Sequence, residues 1–298
     1  METKFKEIKN KDEEYNAKKI ISSIDRGEKE IFEDNEIENK KRLYYSENHT
    51  IGVYCKYIIK DEIHIQIGFN EDMPEELNDE VLNFIKSDSH DNYEVLNLIK
   101  GDSHDNYNIR IWYSPRNKKL EEFLLKKLIY KEKGEEIYEF TLQKKMLKNE
   151  ECTYIINNLE IVPFKEKYIN DVCNMFDKSL AHTFDNPNEK VFLNSKNIFL
   201  HEWIDKSNRG EFCVVIEKNN IIGAYILDGL EIDILTVAIN KQGKGIGKYI
   251  LNHAMKHILE LNRGNPYLYC MKSNLNAVEF YKHEGFEMTG YSSYIALK

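Results

Sequence analysis

The stretch Leu235-Thr-Val-Ala-Ile239, followed closely by Gln242-Gly-Lys-Gly-Ile-Gly247, decides the fold of this chain. The first run is apolar and β-branched, which predicts a buried strand. The residues after it predict an amphipathic helix over 246–261, with apolar side chains at helical spacing: Ile246, Ile250, Ala254, Ile258 and Leu261. Strand, glycine turn and helix together predict a phosphate site, because glycine lets the backbone approach closely and a helix N-terminus offers N–H groups to an anion.

The glycine turn (residues 242–247) does not by itself identify the ligand. It departs from the Walker A pattern, because Gly247-Lys248 is followed by Tyr249 where Ser or Thr is needed. It also departs from the dinucleotide-binding fingerprint, because Lys248 occupies the third glycine position. A purely structural helix-opening turn is the remaining alternative.

Composition narrows the class of protein. The chain has 298 residues, of which 41% are hydrophobic and 31% charged, which predicts a soluble protein of two domains. A net charge of −9 argues against nucleic-acid binding and is compatible with cationic substrates. The N-terminus has no apolar region typical of a signal peptide, and no apolar run is long enough to predict a membrane span. The five cysteines are scattered along the chain, which indicates a cytoplasmic protein with reduced thiols and no metal site.

The first domain is predicted to end near residue 150. Residues 1–42 are strongly charged and predict a helical extension. Beyond them the pattern predicts a hairpin (51–59 and 63–69), a helix (75–86), a strand (108–113), a helix (118–127) and a strand (136–142). The polar stretch 144–151 is the predicted linker, so the domains are expected at 1–150 and 151–298.

An internal repeat interrupts this domain. Residues 81–94 and 95–108 differ only at Phe84/Leu98, Ser87/Gly101 and Glu94/Asn108. Two short copies do not make a solenoid, and a tandem duplication in a surface loop is the better account. The alternative is that the two Asp-Ser-His-Asp tetrads bind a metal ion. Two histidines with flexible acidic residues do not define a coordination geometry, however.

The second domain is predicted to be a mixed α/β sheet. Its expected strands are 154–162, 212–217, 221–227, 235–239, 267–271 and 292–297, and its expected helices are 166–180, 198–206, 246–261 and 276–284.

Two motifs in this domain resemble those of the GNAT family of acetyl-CoA-dependent N-acyltransferases. Gln242-x-x-Gly-x-Gly after an apolar strand matches the family's motif A. Some thirty residues later, Asn274-x-x-Ala-Val-x-Phe280-Tyr281 with Gly285-Phe286 matches its motif B. The resemblance covers roughly residues 158–298 and implies acetyl-CoA as the cosubstrate, with no metal.

The resemblance also implies roles for individual residues. The strand end would pair its backbone with the pantetheine arm: Val237, Ala238 and Ile239. The turn and the first helical residues would hold the pyrophosphate through N–H groups: Gln242, Gly243, Lys244, Gly245, Ile246, Gly247 and Lys248. Asn274 would contact the coenzyme, and Tyr281 would contact it and protonate the departing thiolate. A parent thiol pKa of ~8.5 and a tyrosine pKa of ~10 make that transfer feasible, and a merely buried ring is the alternative.

The general base is less defined. Glu231 and Asp233 lie upstream on the Val237 strand, where some family members carry a catalytic Glu. Strict alternation along the strand would place both side chains on the same face of the sheet as Val237. A bulge between them and Val237 would change the face on which they lie. Ordinary strand-edge acids and bulk water as the base are the alternatives. The region that shapes the family's acceptor pocket offers four further candidates here: His182, Asp185, His201 and Glu202.

The first domain repeats the motif B spacing, with Asn117, Phe123 and Leu124. Leu124 occupies the position of Tyr281, and Leu128 occupies the position of Gly285. The loop after Phe69, which corresponds to the glycine turn, has no glycine. We therefore expect a tandem pair of GNAT-like mixed-sheet domains, in which the N-terminal copy is degenerate and does not bind coenzyme A.

The leading hypothesis is an N-acetyltransferase that moves an acetyl group from acetyl-CoA to a primary amine, by direct attack in a ternary complex. The acceptor would be a small-molecule or peptide amine, and the protein a monomer or homodimer without nucleic-acid or membrane partners. The alternative is a non-catalytic acyl-CoA-binding regulatory protein. A nucleotide-binding protein is disfavoured by the missing Walker residues.

Overall fold

The computed structural model describes residues 3–37, 40–59, 62–88, 109–142, 158–184, 186–261 and 264–297. The chain forms two compact units: unit 1 comprises Met1–Glu139, Met271–Asn274 and Met288–Lys298, and unit 2 comprises Phe140–Cys270 and Leu275–Glu287. The predicted domain boundary and the linker 144–151 lie outside the described residues, so both stay predictions. The second repeat copy also lies outside them.

Unit 1 is built on a sheet whose strands run in the order β1-β2-β3-β4-β5-β13. Its strands are β1 (Lys6–Glu7), β2 (Lys41–Glu47), β3 (Thr50–Ile59), β4 (Glu62–Phe69), β5 (Ile109–Tyr113), β6 (Tyr130–Lys133), the first part of β7 (Ile137–Leu142) and β13 (Phe286–Leu297) from residue 288. Its helices are α1 (Lys11–Ile21), α2 (Arg26–Glu33), α3 (residues 78–88) and α4 (Lys118–Lys127). All neighbours in the order are antiparallel except β4 and β5, which are parallel.

The charged N-terminal extension is helical because local caps and an apolar face support it. The Asn10 side chain accepts from the Glu13 N–H at 2.9 Å and begins α1, and Asp25 begins α2 in the same way. Ala17 and Ile21 on the inner face of α1 are fully buried in a core cluster with residues of β3. Within this charged segment, the structure has two helices, α1 and α2.

Unit 2 is a mixed sheet in the order β12-β11-β10-β9-β8, with helices packed on it. Its strands are β8 (Glu160–Pro163), β9 (Phe212–Glu217), β10 (Asn220–Asp228), β11 (Glu231–Val237) and β12 (Tyr267–Met271), and its helices are α5 (Ile169–Ser179), α6 (Val191–Asn208), α7 (Ile246–Glu260) and α8 (Leu275–His283). An aromatic core lies between the sheet and α5 and α6, centred on Phe176, Trp203 and Phe212. The predicted α/β class with mixed sheets is confirmed.

Four predicted details of unit 2 are wrong. The helix expected at 198–206 already begins at Val191. The strand expected to reach Ile239 ends at Val237, and Ile239 lies 62% exposed in a short 3₁₀ turn. Leu261, expected on the buried face of α7, follows the helix and is 45% exposed. The last strand begins at Phe286, six residues before the predicted Ser292.

Candidate active site

The glycine turn presents an uncapped helix N-terminus. Gly243 and Gly245 have φ angles of 72° and 78°, values that glycine adopts readily. Gly245 is the N-cap of α7 and supplies no side-chain cap, and the first intrahelical bond runs from Tyr249 N to Gly245 O. The N–H groups of Ile246 and Gly247 therefore have no partner within the helix, which makes this end of α7 a suitable anion site.

Two side chains fix the end of β11 beside this turn. The Gln242 Nε2 donates to the Val237 carbonyl at 3.0 Å, and the Ser179 Oγ donates to the same oxygen at 3.3 Å. Gln242 thus braces the turn against the strand. Sequence reasoning missed Ser179, and no pattern around the end of α5 marks it.

The peptide N–H of Val237 points to the open edge of β11. Ala238 N donates to Ile222 O at 2.9 Å, so the next pair along the ladder, Val237 with Gly223, is a non-hydrogen-bonded pair. In such a pair the N–H and C=O groups point away from the partner strand. The Val237 N–H is therefore directed away from β10, toward the side on which β12 lies.

On that side, β11 and β12 pair only at their beginnings. Their parallel register has one pair in the described residues, Glu231 with Tyr267, and Tyr267 N donates to Leu230 O at 3.1 Å. The strands separate beyond this point. The separation leaves the carboxyl end of β11 open beside the start of α7, where a ligand arm can pair with the strand backbone.

The first turn of α7 is held by packing and by an ion pair. A side-chain Cβ at Gly247 would meet Phe280 at 3.7 Å and Val237 at 3.9 Å, so the backbone of α7 lies close to both. The Lys248 Nζ lies 3.0 Å from the buried Glu284 carboxylate. Because its charge is paired in this way, the contribution predicted for Lys248 at a pyrophosphate is that of its backbone N–H.

Tyr281 lies on α8 in an aromatic environment. It is 8% exposed, and its ring centroid lies 5.2 Å from that of Phe280, 5.9 Å from that of Phe286 and 6.2 Å from that of Phe140. Burial, and then the nearby Cys270, raise the pKa of Tyr281 well above its usual value. The phenol is therefore fully protonated at neutral pH and can donate a hydrogen bond.

Asn274 lies in the turn immediately before α8, where its N–H donates to Met271 O at 3.0 Å. This residue belongs to unit 1, whereas the glycine turn belongs to unit 2. Its predicted contact with the coenzyme stays a prediction.

A β-bulge separates the two candidate bases. The register of β10 with β11 runs from Ile226 with Ile234 directly to Leu227 with Ile232, so Asp233 is the extra residue. Glu231 pairs with Asp228, and its carboxylate accepts from the Tyr267 hydroxyl at 3.3 Å. Because of the bulge, Glu231 does not lie on the same face of the sheet as Val237, where strict alternation would place it. Asp233 has no register partner on β10.

Asp233 lies near three charged side chains, those of Lys206, Asp228 and Glu202. Its side chain is exposed, yet the surrounding protein desolvates the carboxylate and raises its pKa, an effect that the positive charge of Lys206 opposes. Lys206 is buried, and its Nζ donates to the Leu227 carbonyl at 2.8 Å, across from the bulge. It also lies 3.7 Å from Glu202 and 3.5 Å from Asp228. A solvent-accessible carboxylate with a raised pKa suits a general base.

Sequence reasoning missed Lys206, although the sequence contains a signal for it. It follows Phe199 and Trp203 at helical spacing on the apolar face of α6, where a lysine must be paired to be buried. Of the four acceptor-pocket candidates, His201 is 93% exposed at its side chain, and Glu202 approaches Lys206. His182 lies in a 3₁₀ turn after α5, and Asp185 lies outside the described residues.

In unit 1, the corresponding pair of parallel strands does not separate. The parallel strands β4 and β5 pair at four successive positions, from Ile63 with Ile109 to Gln66 with Trp112. Leu124 is fully buried, and the segment after β4 carries Glu71 and Asp72 without a glycine. This geometry agrees with a degenerate N-terminal copy of the unit 2 fold.

The described residues contain no group of three or more His, Cys, Asp or Glu side chains arranged to hold a metal ion. No helix among them is long and apolar enough to cross a membrane.

These features define the class of protein: an α/β fold in which a strand leads through a glycine turn into an uncapped helix beside an opened strand edge. A family model described as "Acetyltransferase (GNAT) domain" matches residues 182–295. Those residues form a GNAT acetyltransferase domain, which confirms the family resemblance and supports an acyltransferase.

Solved structures extend the likeness in fold beyond that domain. An acetyltransferase of the GNAT family from Colwellia psychrerythraea has a TM-score of 0.50 and 13% identity, covering 99% of this chain and 100% of that one. A GCN5-related N-acetyltransferase from Sphaerobacter thermophilus has a TM-score of 0.55 and 8% identity, covering 83% of this chain and 79% of that one. At such identities the likeness establishes the fold alone.

Proposed function

We propose that unit 2 transfers an acetyl group from acetyl-CoA to a primary amine, of a small molecule or a peptide, by direct attack in a ternary complex. The observation that carries the proposal is the uncapped N-terminus of α7 beside the open edge of β11. The N–H groups from Gly243 to Lys248 would hold the pyrophosphate, and the backbone from Val237 to Ile239 would pair with the pantetheine arm.

The reaction needs an oxyanion donor and an acid. As the neutral amine attacks the thioester carbonyl, a C–N bond forms and the carbonyl oxygen becomes negative. The Val237 N–H would stabilise this oxygen, because it is aimed at the open edge and needs no reorganisation. When the C–S bond breaks, Tyr281 would give its hydroxyl proton to the thiolate of coenzyme A and recover one from solvent.

The attacking nitrogen must also lose a proton. Asp233 is the stronger of the two carboxylate candidates, because the bulge leaves it without a register partner on β10 and desolvation by the surrounding protein raises its pKa. Glu231 is held by the Tyr267 hydroxyl and has the weaker claim. The net charge of −9 and the acids around Asp233 favour a cationic amine as the acceptor.

Substitution of Gly245 by Glu tests the binding site. We expect Gly245→Glu to abolish acetyl-CoA binding in calorimetry, because a carboxylate would occupy the anion site at the start of α7. The matched control is Gly229→Glu, since Gly229 also has a positive φ, of 61°, and open space around it. Unchanged affinity in Gly245→Glu would refute the assignment of the turn.

A thiol-release assay over a panel of amines tests the chemistry. We expect acetyl-CoA consumption that depends on a primary amine and produces one thiol per acetylated amine. Tight acetyl-CoA binding without turnover across the panel would refute the enzymatic proposal and favour a binding protein.

A further inference from the structure

Unit 1 contains a cavity of about 540 Å³ at the carboxyl ends of its parallel strands β4 and β5. Its lining comes from α1, from the start of β3, from the segment after β4 and from the segment after β5. Its volume falls within the range of small-molecule sites, and the carboxyl ends of adjacent parallel strands are where α/β sheets bind ligands. The proposed chemistry of unit 2 makes no use of this cavity.

Hydrogen bonds hold the rim of the cavity in place. The Asn117 Nδ2 donates to Glu71 O at 2.9 Å, which links the segment after β5 to that after β4. Asn70 donates from Nδ2 to His49 O at 2.9 Å and accepts at Oδ1 from Ile51 N at 2.6 Å. The rim is therefore formed before any ligand arrives, which lowers the entropic cost of binding.

The cavity contains a buried hydroxyl group that has no protein partner. Ser114 lines it, is 6% exposed, and its Oγ makes no hydrogen bond with any described residue. A buried polar atom without a partner is costly unless something else satisfies it. Ile20 and Phe69, 5% and 7% exposed, form an apolar wall of the same cavity.

Charges of both signs line the cavity. Lys19 and Arg116 supply positive charge, and within the described part of the chain neither side chain has an ion-pair partner. Asp72 lies 4.0 Å from Lys119, whereas Glu71 has no ion pair with a described residue. A purely anionic ligand would be repelled by Glu71, and a purely cationic one by Arg116 and Lys19.

We propose that this cavity binds a zwitterion of the amino-acid class that carries an apolar side chain. The ligand's carboxylate would pair with Arg116 and Lys19, its ammonium group with Glu71, and its side chain would pack on Ile20 and Phe69. The Ser114 hydroxyl would donate to the carboxylate. This site is separate from the acetyl-transfer site proposed in unit 2.

Three related probes test the proposal in the full-length protein without acetyl-CoA. L-Phenylalanine carries both charges, 3-phenylpropionate lacks the ammonium group, and phenethylamine lacks the carboxylate. We expect saturable binding of L-phenylalanine by calorimetry or ligand-observed NMR. Each analogue should bind roughly fivefold more weakly or worse, because it leaves one set of charges unpaired.

Substitutions then locate the binding. Arg116→Ala and Glu71→Gln should each weaken L-phenylalanine binding by about fivefold or more. Lys126→Ala and Glu122→Gln are matched controls on the exposed face of α4 and should leave it unchanged. Gly245→Glu should also leave it unchanged, which distinguishes this site from that of unit 2.

Ser114→Ala separates a ligand contact from a structural role. Because the hydroxyl has no protein partner, its removal should leave the melting temperature of the unligated protein unchanged or raised, while weakening L-phenylalanine binding by roughly threefold. Absence of saturable L-phenylalanine binding would overturn the proposal. So would affinity for both analogues equal to that for L-phenylalanine, or affinity unchanged by both Arg116→Ala and Glu71→Gln.

Discussion

The hydroxyl group of Tyr281 can be removed without disturbing the packing around it. Its ring contacts Phe140, Phe280 and Phe286, and Tyr281→Phe keeps all three. We therefore expect this variant to lower kcat by roughly tenfold or more with little change in acetyl-CoA affinity, because only the proton donor is lost. Steady-state kinetics and calorimetry measure the two effects separately.

Tyr225→Phe is the matched control for this prediction. Tyr225 is also buried in unit 2, and its hydroxyl donates to Gly210 O at 3.3 Å, away from the glycine turn. Its removal should lower the melting temperature and leave kcat nearly unchanged. Full activity of Tyr281→Phe, or an equal loss in both variants, would remove Tyr281 from the mechanism.

A lysine from a different element lies opposite the bulge in β11. Lys206 on α6 donates to Leu227 O across from the bulge, and its charge lowers the pKa of Asp233 against the effect of burial. Lys206→Met should raise that pKa. Because the base must be deprotonated, the acidic limb of the kcat/KM profile should move to higher pH, so that activity falls more at about pH 6 than at about pH 9.

Two further variants test this assignment. Lys206→Arg keeps the charge and should restore the wild-type profile. Glu202→Gln removes a negative charge that raises the pKa of Asp233, so the acidic limb should move slightly to lower pH, the effect being small because Glu202 is 63% exposed at its side chain. An acidic limb that keeps its position in Lys206→Met, in a variant that still folds, would contradict the role of Asp233 as the base.

A buried acid on α2 should make the protein less stable as the pH rises. Burial, and then the charge of Asp25, raise the pKa of Glu28 from 4.5 to about 8. Between these two values the folded state binds more protons than the unfolded state. The free energy of unfolding should therefore fall with rising pH across this window, by at most ~1.4 kcal/mol per pH unit.

Urea unfolding at several pH values and constant ionic strength measures this slope. Glu28→Gln should flatten it, because an uncharged side chain keeps an acceptor for the Tyr57 hydroxyl, which lies 3.0 Å from the Glu28 carboxylate. Glu30→Gln, on the exposed face of α2, is the control. Equal slopes in the wild type and Glu28→Gln would show that Glu28 is ionised in the folded protein.

Local patterns predicted most elements of both units, and the failures have a common physical cause. The predicted bounds of α4 agree with the structure, because apolar spacing and the Asn117 cap are encoded within a few residues. The start of α6 was missed because its cap is tertiary: the N–H groups of Phe192 and Leu193 donate to Asp177 on α5. The place of the bulge at Asp233 depends in the same way on the register with β10.

At the scale of the whole chain, sequence reasoning predicted two related halves, and the structure adds that each unit contains segments distant in sequence. Residues 288–298 belong to unit 1, and residues 140–142, the end of β7, belong to unit 2. Within unit 2, Leu142 N donates to Pro266 O at 2.9 Å, just before β12. Such an exchange of strand segments leaves no mark in hydrophobic periodicity, because a strand has the same alternation whichever sheet it joins.

The contrast between the two pairs of parallel strands predicts one coenzyme A site in each chain. In unit 2, β11 and β12 separate after one register pair, beside a glycine turn. In unit 1, β4 and β5 pair at four positions, and the segment after β4 carries Glu71 and Asp72. Paired strand edges cannot accept a pantetheine arm, and carboxylates repel a pyrophosphate. Calorimetry with acetyl-CoA should therefore give a stoichiometry of about one per chain. Gly245→Glu should remove this binding completely, and Asp72→Asn should leave both the stoichiometry and the affinity unchanged. A stoichiometry of about two, of which Gly245→Glu removes one, would mean that unit 1 also holds the coenzyme.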